Sequence, residues 1–160
     1  MHCPRKSVED TQSVAQEALL VEGYDLDQVD MMSERVILVD HEDQVLGSMS
    51  KVEAHRGDGV LHRAFSIHVF DDKNRLLMQK RASHKITFPD VWANTVCSHP
   101  LHVPDELNDE GNNVGTKLAA IRKMEQELGI SLDTFQTDDI HLITRMLYRA
   151  RADQIWVEHE

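Results

Sequence analysis

The sequence predicts an α+β fold in which one long helix packs against a mixed β-sheet. Apolar and polar residues alternate along residues 63–70 and again along residues 140–150, as they do in half-buried strands. Between these stretches, the apolar residues of Val114–Leu128 recur with the 3.6-residue period of a helix. Strands on both sides of one helix, in a chain of 160 residues, favour a single layered domain.

The N-terminal third is predicted to contain an extension followed by a hairpin and a loop. Residues 1–33 are polar, and we expect an N-terminal extension that is partly helical, over residues 8–21, or mobile. Residues 34–40 form an apolar run of strand length, and residues 45–49 are its expected hairpin partner. Two glycines, Gly57 and Gly59, predict a loop rather than a helix over residues 51–62.

The middle of the chain is predicted to contribute two further strands to the sheet. Residues 75–80 follow a four-residue turn and resemble a second strand. Residues 94–97 are short and β-prone, and they lie between Pro89 and Pro100, which predicts a buried strand end.

The C-terminal half is predicted to hold the long helix and two further strands. Residues 104–113 are acidic and expected to be irregular. The helix Val114–Leu128 is followed by Gly129 at the position of a C′ cap. Residues 140–150 and 155–160 alternate as strands. The predicted core face of the helix consists of Val114, Leu118, Ile121 and Leu128.

Composition excludes several classes of function. A formal net charge of −11 argues against a nucleic-acid or general polyanion binder, so an anionic substrate would need a local cationic pocket or a metal. No apolar run approaches the ~20 residues of a membrane span. Two cysteines, Cys3 and Cys97, make no disulfide framework and favour a reducing compartment. We expect a cytoplasmic monomer, with peroxisomal or plastid targeting of a full-length protein left open.

Cys97 and His99 are the first candidates for chemistry. On a strand, positions i and i+2 share a face, which places these two side chains about 6–7 Å apart. The alternative is that Cys97 is only a small buried apolar residue, as most free cysteines are.

Residues of the metal-binding type occur in three places. His55 and His62 are joined by the glycine-containing loop, His99 follows the predicted strand end, and Glu158 and Glu160 share a face of the last strand. Three imidazoles and two carboxylates suit a five- or six-coordinate divalent ion such as Mg²⁺, Mn²⁺, Zn²⁺ or Fe²⁺. Spacing alone does not bring them together, and residues of these types taken singly are more often ordinary surface residues.

A cationic set accompanies them. Arg81 can place its guanidinium fork on phosphate oxygens, and Lys85 can act beside it as a point charge. Taken singly, residues of this type are most often solvated surface charges. The complete set is Lys51, Arg81, Lys85 and Lys123.

Residues 122–130 are similar to the end of a Nudix box, Arg-Glu-U-x-Glu-Glu-x-Gly-U, where U is a bulky aliphatic residue. Lys123 and Gln126 replace two of its glutamates, which leaves the chain poorly equipped for hydrolysis, although Glu127 can still hold one ion. The matching positions are Arg122, Met124, Glu127, Gly129 and Ile130.

From about residue 35 to residue 160, the chain resembles type I isopentenyl diphosphate isomerases, a divergent Nudix-fold family. The resemblance is carried by Leu-His-Arg-Ala-Phe-Ser at 61–66, Lys-Ile-Thr-Phe-Pro at 85–89, Thr-Val-Cys-Ser-His-Pro-Leu at 95–101, Glu-Leu-Gly-Ile at 127–130 and Trp-Val-Glu-His-Glu at 156–160. It implies a Nudix-type α/β/α sandwich and a catalytic domain over residues 34–160.

The resemblance also implies a reaction and its residues. The family moves a double bond between isopentenyl and dimethylallyl diphosphate by adding a proton to one face and removing another from the opposite face. By the family's pattern, Cys97 and Glu160 are the acid and base, with Tyr148 hydrogen-bonded near Glu160. The implied metal ligands are His55, His62, His99, Glu158 and Glu160, with a second ion, Mg²⁺, at Glu127. The implied diphosphate ligands are Lys51, Arg81, Lys85, Ser98 and Lys123. The cofactor implied is Mg²⁺, with Mn²⁺, Zn²⁺ or Mg²⁺ at the other site.

The family continues beyond the Glu-His-Glu strand with further sheet and helix, so we expect these 160 residues to be a fragment of a longer protein. Both tryptophans, Trp92 and Trp156, match other motifs and not the family's carbocation-facing Trp. Three alternatives remain: a Nudix diphosphate hydrolase, a non-catalytic metal-binding module, and a truncated product without its own function.

Overall fold

The computed structural model describes residues 26–85, 88–108 and 111–160. The predicted helix over residues 8–21 lies outside these ranges. The helices are α1 (Leu26–Ser33), α2 (Lys51–Ala54), α3 (Pro104–Leu107) and α4 (Val114–Leu128), with 3₁₀ turns at Leu132–Thr134 and Thr137–Asp139. The strands are β1 (Arg35–Val39), β2 (Val45–Ser50), β3 (Phe65–Ile67), β4 (Gln79–Lys80), β5 (Trp92–Ala93), β6 (Val96–Ser98), β7 (Arg149–Arg151) and β8 (Val157–His159). Within the described ranges, no helix combines the length and the apolar character needed to cross a bilayer.

The strands pair two by two. β1 and β2 form the predicted hairpin, with Arg35 opposite Ser50, while β3 pairs with β6, β4 with β5 and β7 with β8. All four pairs are antiparallel. Among the described residues, four small antiparallel sheets therefore replace the single mixed sheet that we expected, and the α+β class is retained.

The main core lies where α4 packs against β3 and β6. Its buried members are Phe65, Val96, Ala119, Ala120 and Met124. The helix has the predicted bounds, and Gly129 has a φ of 67°, the left-handed conformation of a C′ cap.

The predicted core face of α4 was only partly right, because Leu118 is 37% exposed. The helix buries a neighbouring stripe that contains two alanines, Ala119 and Ala120. Their small side chains let the helix lie close to β6 while its lysines reach inward.

A second apolar cluster joins the N-terminal helix to the last strand. Met32, Val52 and Trp156 pack together and are almost completely buried. The end of the expected N-terminal extension is thus packed into the domain.

Three segment predictions need correction. Residues 51–54 form one helical turn because Ser50 and Glu53 make a capping box at its start. Residues 104–107 are also helical, with Pro104 in the first turn, where proline is tolerated. Of residues 140–150, the described strand includes only the last two, at the start of β7. Residues 141–147 are exposed and lie outside the described strands, so the β-prone composition there is not supported by a neighbouring strand.

Candidate functional site

Three imidazole rings meet in the interior of the domain. His55 follows α2, His62 ends the next loop and His99 follows β6. Their ring centroids lie 4.6, 4.9 and 5.1 Å apart, and all three residues are buried. Glu160 Oε1 lies 2.9 Å from His99 Nε2 and 3.8 Å from His62 Nε2. One potential ligand atom from each of these four residues lies within 4.8 Å of the others, so the fold brings together four of the predicted ligands.

Backbone hydrogen bonds tie the histidine loop to β8. Val157 N donates to His55 O over 2.7 Å, and His62 N donates to His159 O over 3.1 Å. These bonds anchor both ends of the loop to the strand that leads directly into Glu160. The loop and the carboxylate are therefore positioned by one another.

Gly59 makes this arrangement sterically possible. Its φ of 72° lies in the left-handed region, and a Cβ at this position would approach Val157 Cγ1 to 2.9 Å. Only a residue without a side chain fits both the turn and the contact with β8.

Two of the imidazoles are oriented by backbone carbonyls. His55 Nδ1 lies 2.8 Å from Lys51 O, and His62 Nδ1 lies 2.7 Å from Val60 O. A carbonyl oxygen only accepts hydrogen bonds, so Nδ1 carries the proton in both rings and Nε2 carries the free lone pair. This is the tautomer and orientation in which histidine binds a metal through Nε2.

The buried histidines are neutral at physiological pH. Burial lowers the pKa of His55 to about 3, and the nearby His99 and His62 rings add to this effect. Burial also lowers the pKa of His62 and holds the pKa of His99 well below its usual range. Neutral rings offer lone pairs, so this cluster is a set of ligands rather than a set of charges.

The cluster fits a divalent cation. His62 Nε2 and His99 Nδ1 are buried and have no hydrogen-bond partner within the described part of the chain. Because His62 is neutral, its Nε2 lone pair and the Glu160 carboxylate are two acceptors facing each other across 3.8 Å. Unpartnered buried acceptors are unfavourable by about 1–3 kcal/mol each. A cation placed here would give the His62 lone pair a partner and would bind the Glu160 carboxylate, which already accepts from His99 Nε2 and from the Tyr148 hydroxyl. Three nitrogens with one oxygen suit a divalent metal.

The Tyr148 hydroxyl connects the side-chain carboxylates of Glu158 and Glu160. It donates to Glu160 Oε2 over 2.7 Å and lies 3.2 Å from Glu158 Oε2. Burial, followed by the charge of Glu160, raises the pKa of Tyr148 and that of Glu158. Tyr148 therefore stays protonated and acts as a donor. Glu158 lines the cleft, but it does not belong to the group of four clustered ligands.

Cys97 lines the same cleft as both carboxylates. Its Sγ accepts a hydrogen bond from the Ser66 hydroxyl over 3.6 Å. Burial, and then the negative charge of Glu160, raises the pKa of Cys97 to about 11. At neutral pH this side chain is a thiol that holds its proton, and the sequence alone could not establish that.

The predicted cations converge on this cleft. It is lined by Lys51, Arg81, Lys85, Ser98 and Lys123, and also by Glu127. Glu127 lies 3.9 Å from Lys85 Nζ and accepts a 3.3 Å hydrogen bond from Gln79. Four cations thus line the cleft together with three carboxylates, so the cleft carries more positive charge than the chain as a whole, whose net charge is −11.

Burial makes the charged form less favourable at two of these cations, the buried Lys123 and the half-buried Lys51. Burial, and then Lys123, lowers the pKa of Lys51 to about 8. Burial also lowers the pKa of Lys123, whose Nζ donates to the thioether of Met31 over 3.7 Å. Sulfur is a weak acceptor, so a phosphate oxygen would be a much better partner for this ammonium.

Met31 and Met32 also line the cleft, and the sequence analysis missed them. Both lie in α1, in the region that we assigned to an extension outside the resemblance. The only available signal was a pair of apolar residues directly before the first strand. Residues 26–33 therefore belong to the site region as well as to the core.

Together, the fold and the site define a small α+β protein with a buried His₃–carboxylate candidate metal centre beside a cleft that contains a thiol and several cations. No protein-family model matches the chain. It is 47% identical over 144 residues to the isopentenyl-diphosphate delta-isomerase of Gibberella zeae, covering 86% of this chain and 57% of that protein. It is 44% identical over 142 residues to the enzyme of that name from Bos taurus, covering 85% of the chain and 62% of the relative. With the Phaffia rhodozyma isopentenyl-diphosphate delta-isomerase, identity is 43% over 154 residues, or 92% of this chain and 61% of that one.

Over most of its length the chain is therefore similar to isopentenyl-diphosphate delta-isomerases. It spans about three fifths of the length of these curated relatives.

Proposed function

We propose that this cleft interconverts isopentenyl diphosphate and dimethylallyl diphosphate. The observation that carries the proposal is that the Cys97 thiol and the Glu160 carboxylate line one cleft together with cations that suit a diphosphate. Moving a double bond along a carbon chain requires one group that adds a proton and another that removes one. The names of the relatives give the substrate class.

In the proposed reaction, a proton is added to the terminal methylene carbon of isopentenyl diphosphate, which leaves positive charge on the tertiary carbon. A proton is then lost from the adjacent methylene group, and the double bond forms in its new position. Cys97 Sγ holds a proton at neutral pH and can therefore act as the acid. Glu160 Oε2, which accepts from the Tyr148 hydroxyl, is the base that removes the second proton from the other face of the substrate. The roles exchange in the reverse direction.

We assign the metal site to His55, His62, His99 and Glu160, with Glu158 as a further ligand. The fixed tautomers of His55 and His62, together with the unpartnered ring nitrogens, support this assignment. A bound Mg²⁺, Mn²⁺ or Zn²⁺ would supply a fixed positive charge that holds the Glu160 carboxylate ionised and oriented. A second Mg²⁺ is assigned to Glu127, the carboxylate that lies among the lysines.

The diphosphate is assigned to Lys51, Arg81, Lys85, Ser98 and Lys123. Lys123 is buried and Lys51 is half-buried, and both have lowered pKa values, so these two lysines gain most from an anionic partner. Because the diphosphate does not react, its binding energy serves to hold the alkene between the acid and the base. We further propose a Nudix-type sandwich for the whole domain and a monomer acting on a small-molecule substrate.

A Nudix-type hydrolase is the second candidate, because Glu127 is retained in the cleft. Lys123 argues against it, since an ammonium occupies a position where that box has a carboxylate. Release of phosphate from prenyl diphosphates, without an isomer, would favour hydrolysis.

Incubation of the chain with isopentenyl diphosphate and Mg²⁺ in deuterated water tests the proposal. We expect deuterium in the dimethylallyl product, and its loss in Cys97→Ala and in Glu160→Gln. Cys3→Ala is the matched control, because it makes the same chemical change at the other cysteine. Folded, metal-loaded protein that incorporates no deuterium would contradict the isomerase assignment.

A further inference from the structure

His99 differs from the other two imidazoles in how its ring is held. The Nδ1 atoms of His55 and His62 each bond to a backbone carbonyl, whereas the buried Nδ1 of His99 has no partner in the described part of the chain. A metal-binding histidine is normally oriented by a hydrogen bond to its second ring nitrogen. In this structure the ring is held through its other nitrogen, Nε2, which lies 2.9 Å from Glu160 Oε1. Because Glu160 is itself a proposed metal ligand, the support of His99 that does not depend on the metal centre comes from its backbone.

The ion pair between Glu106 and Arg122 holds the backbone of His99 on both sides of Pro100. Glu106 Oε2 accepts from Leu101 N over 2.6 Å. Arg122 donates to both oxygens of Glu106, over 2.6 Å from Nε and 2.9 Å from Nη2. The same Nη2 reaches the carbonyl oxygen of His99 at 3.4 Å. Because Pro100 has a fixed φ, holding the carbonyl before it and the amide after it limits the freedom of this segment.

The ion pair is itself fixed by close packing of α3 on α4. Glu106 is only 6% exposed, although it is a carboxylate in a one-turn helix. Gly115, at the start of α4, lies so close to the carbonyl of Glu106 that a Cβ there would overlap it. The approach of the two helices lets Arg122 reach across to Glu106 in a two-pronged geometry, which is the strongest form of this interaction.

We propose that the Glu106–Arg122 pair is a positioning device for His99 and so determines the metal affinity of the histidine cluster. The proposal rests on the metal centre assigned above. It gives Arg122, which matches the arginine of a Nudix box, a role in an isomerase-type site that is separate from hydrolysis. Neither residue touches the metal or the substrate in this role.

Titration with Co²⁺, followed by its visible absorption spectrum, tests the proposal without any measurement of activity. We expect Glu106→Gln to weaken Co²⁺ binding by about tenfold or more, the usual range for residues that orient metal ligands. We expect a smaller loss in Arg122→Lys, which keeps the charge but loses the fork, and a changed absorption band in both variants. Glu125→Gln is the matched control, because it makes the same change at an exposed position of α4.

Each variant is measured at a temperature at which circular dichroism shows it to be folded. A purely structural ion pair would lower the melting temperature but leave the Co²⁺ affinity of the folded protein unchanged, and that result in either variant would overturn the proposal. If Glu106→Gln does not fold, Arg122→Lys decides the question. A parent chain that fails to bind Co²⁺ would refute the metal centre and this inference together, whereas tight binding by the parent and by both variants would refute the positioning role alone.

Discussion

Tyr148 and Glu160 are joined by three hydrogen bonds. The Tyr148 hydroxyl donates to Glu160 Oε2 over 2.7 Å, and the backbone N–H and C=O groups of the two residues bond to each other over 2.8 and 3.0 Å. Tyr148 faces Glu160 across two antiparallel segments of the same chain, so its backbone and its hydroxyl together set the position and the orientation of the carboxylate. The proposed base depends on a partner twelve positions earlier in the sequence.

Removing the tyrosine hydroxyl tests this relationship. We expect Tyr148→Phe to lower kcat of the proposed isomerisation by about 10- to 100-fold, because Glu160 loses the donor that orients it. The backbone bonds remain, so the urea midpoint should change little. Tyr24→Phe, the same substitution at the only other tyrosine, is the control. Equal kcat values for the two variants would show that the Tyr148 hydroxyl does not contribute to the reaction.

The two glycines of the histidine loop provide a matched pair. Both have positive φ angles, of 62° at Gly57 and 72° at Gly59, but a Cβ would meet other atoms only at Gly59. We expect Gly57→Ala to lower the free energy of unfolding by about 1 kcal/mol, the strain of a left-handed conformation. Gly59→Ala should lower it further and also weaken Co²⁺ binding, since the loop must move away from Val157. Urea unfolding and Co²⁺ titration measure both effects, and similar results for the two variants would contradict the steric argument.

The metal-free protein should lose stability as the pH falls from about 7 towards 4. The pKa values of His55, His62 and His99 are lower in the folded state than the usual value near 6.5. Below that usual value the unfolded chain binds protons that the folded chain does not, so acid favours unfolding. The slope is at most about 1.4 kcal/mol per pH unit for each histidine.

Urea midpoints of the EDTA-treated chain at several pH values measure this slope. His55→Gln should flatten it, whereas His41→Gln, at an exposed position, should leave it unchanged. A midpoint independent of pH between 7 and 5 would mean that the cluster is not buried in the neutral form.

Binding of inorganic pyrophosphate should weaken as the pH rises above 8. The pKa of Lys51 is lowered to about 8, so its ammonium is charged below that pH and loses its charge above it. Each further pH unit can reduce affinity by up to about tenfold, because the charged fraction falls by that factor. A guanidinium stays charged throughout this range, so Lys51→Arg should abolish the dependence. Calorimetric titration at pH 7, 8 and 9 measures it, and identical pH profiles for parent and variant would exclude Lys51 as the cause.

The sequence by itself determined the local elements and the chemical types at the site. The helix Val114–Leu128 and its cap at Gly129 were predicted with their bounds, because helical periodicity and a left-handed glycine are local properties. The hairpin of β1 and β2 was also predicted, because two apolar runs of strand length joined by a short turn are likewise a local property. The motifs around Cys97 and Glu160 also pointed to the isomerases to which the chain proved similar.

The tertiary structure alone decided which of these residues meet and in what state. His55 and Glu160 are more than one hundred positions apart, and their approach depends on backbone bonds between the histidine loop and β8. The protonated state of Cys97 follows from its burial, which no spacing reveals. Of the predicted strand over residues 140–150, only the end that pairs with β8 forms, because a strand requires a neighbour. Pairing and burial depend on distant parts of the chain, whereas the patterns in a sequence are local.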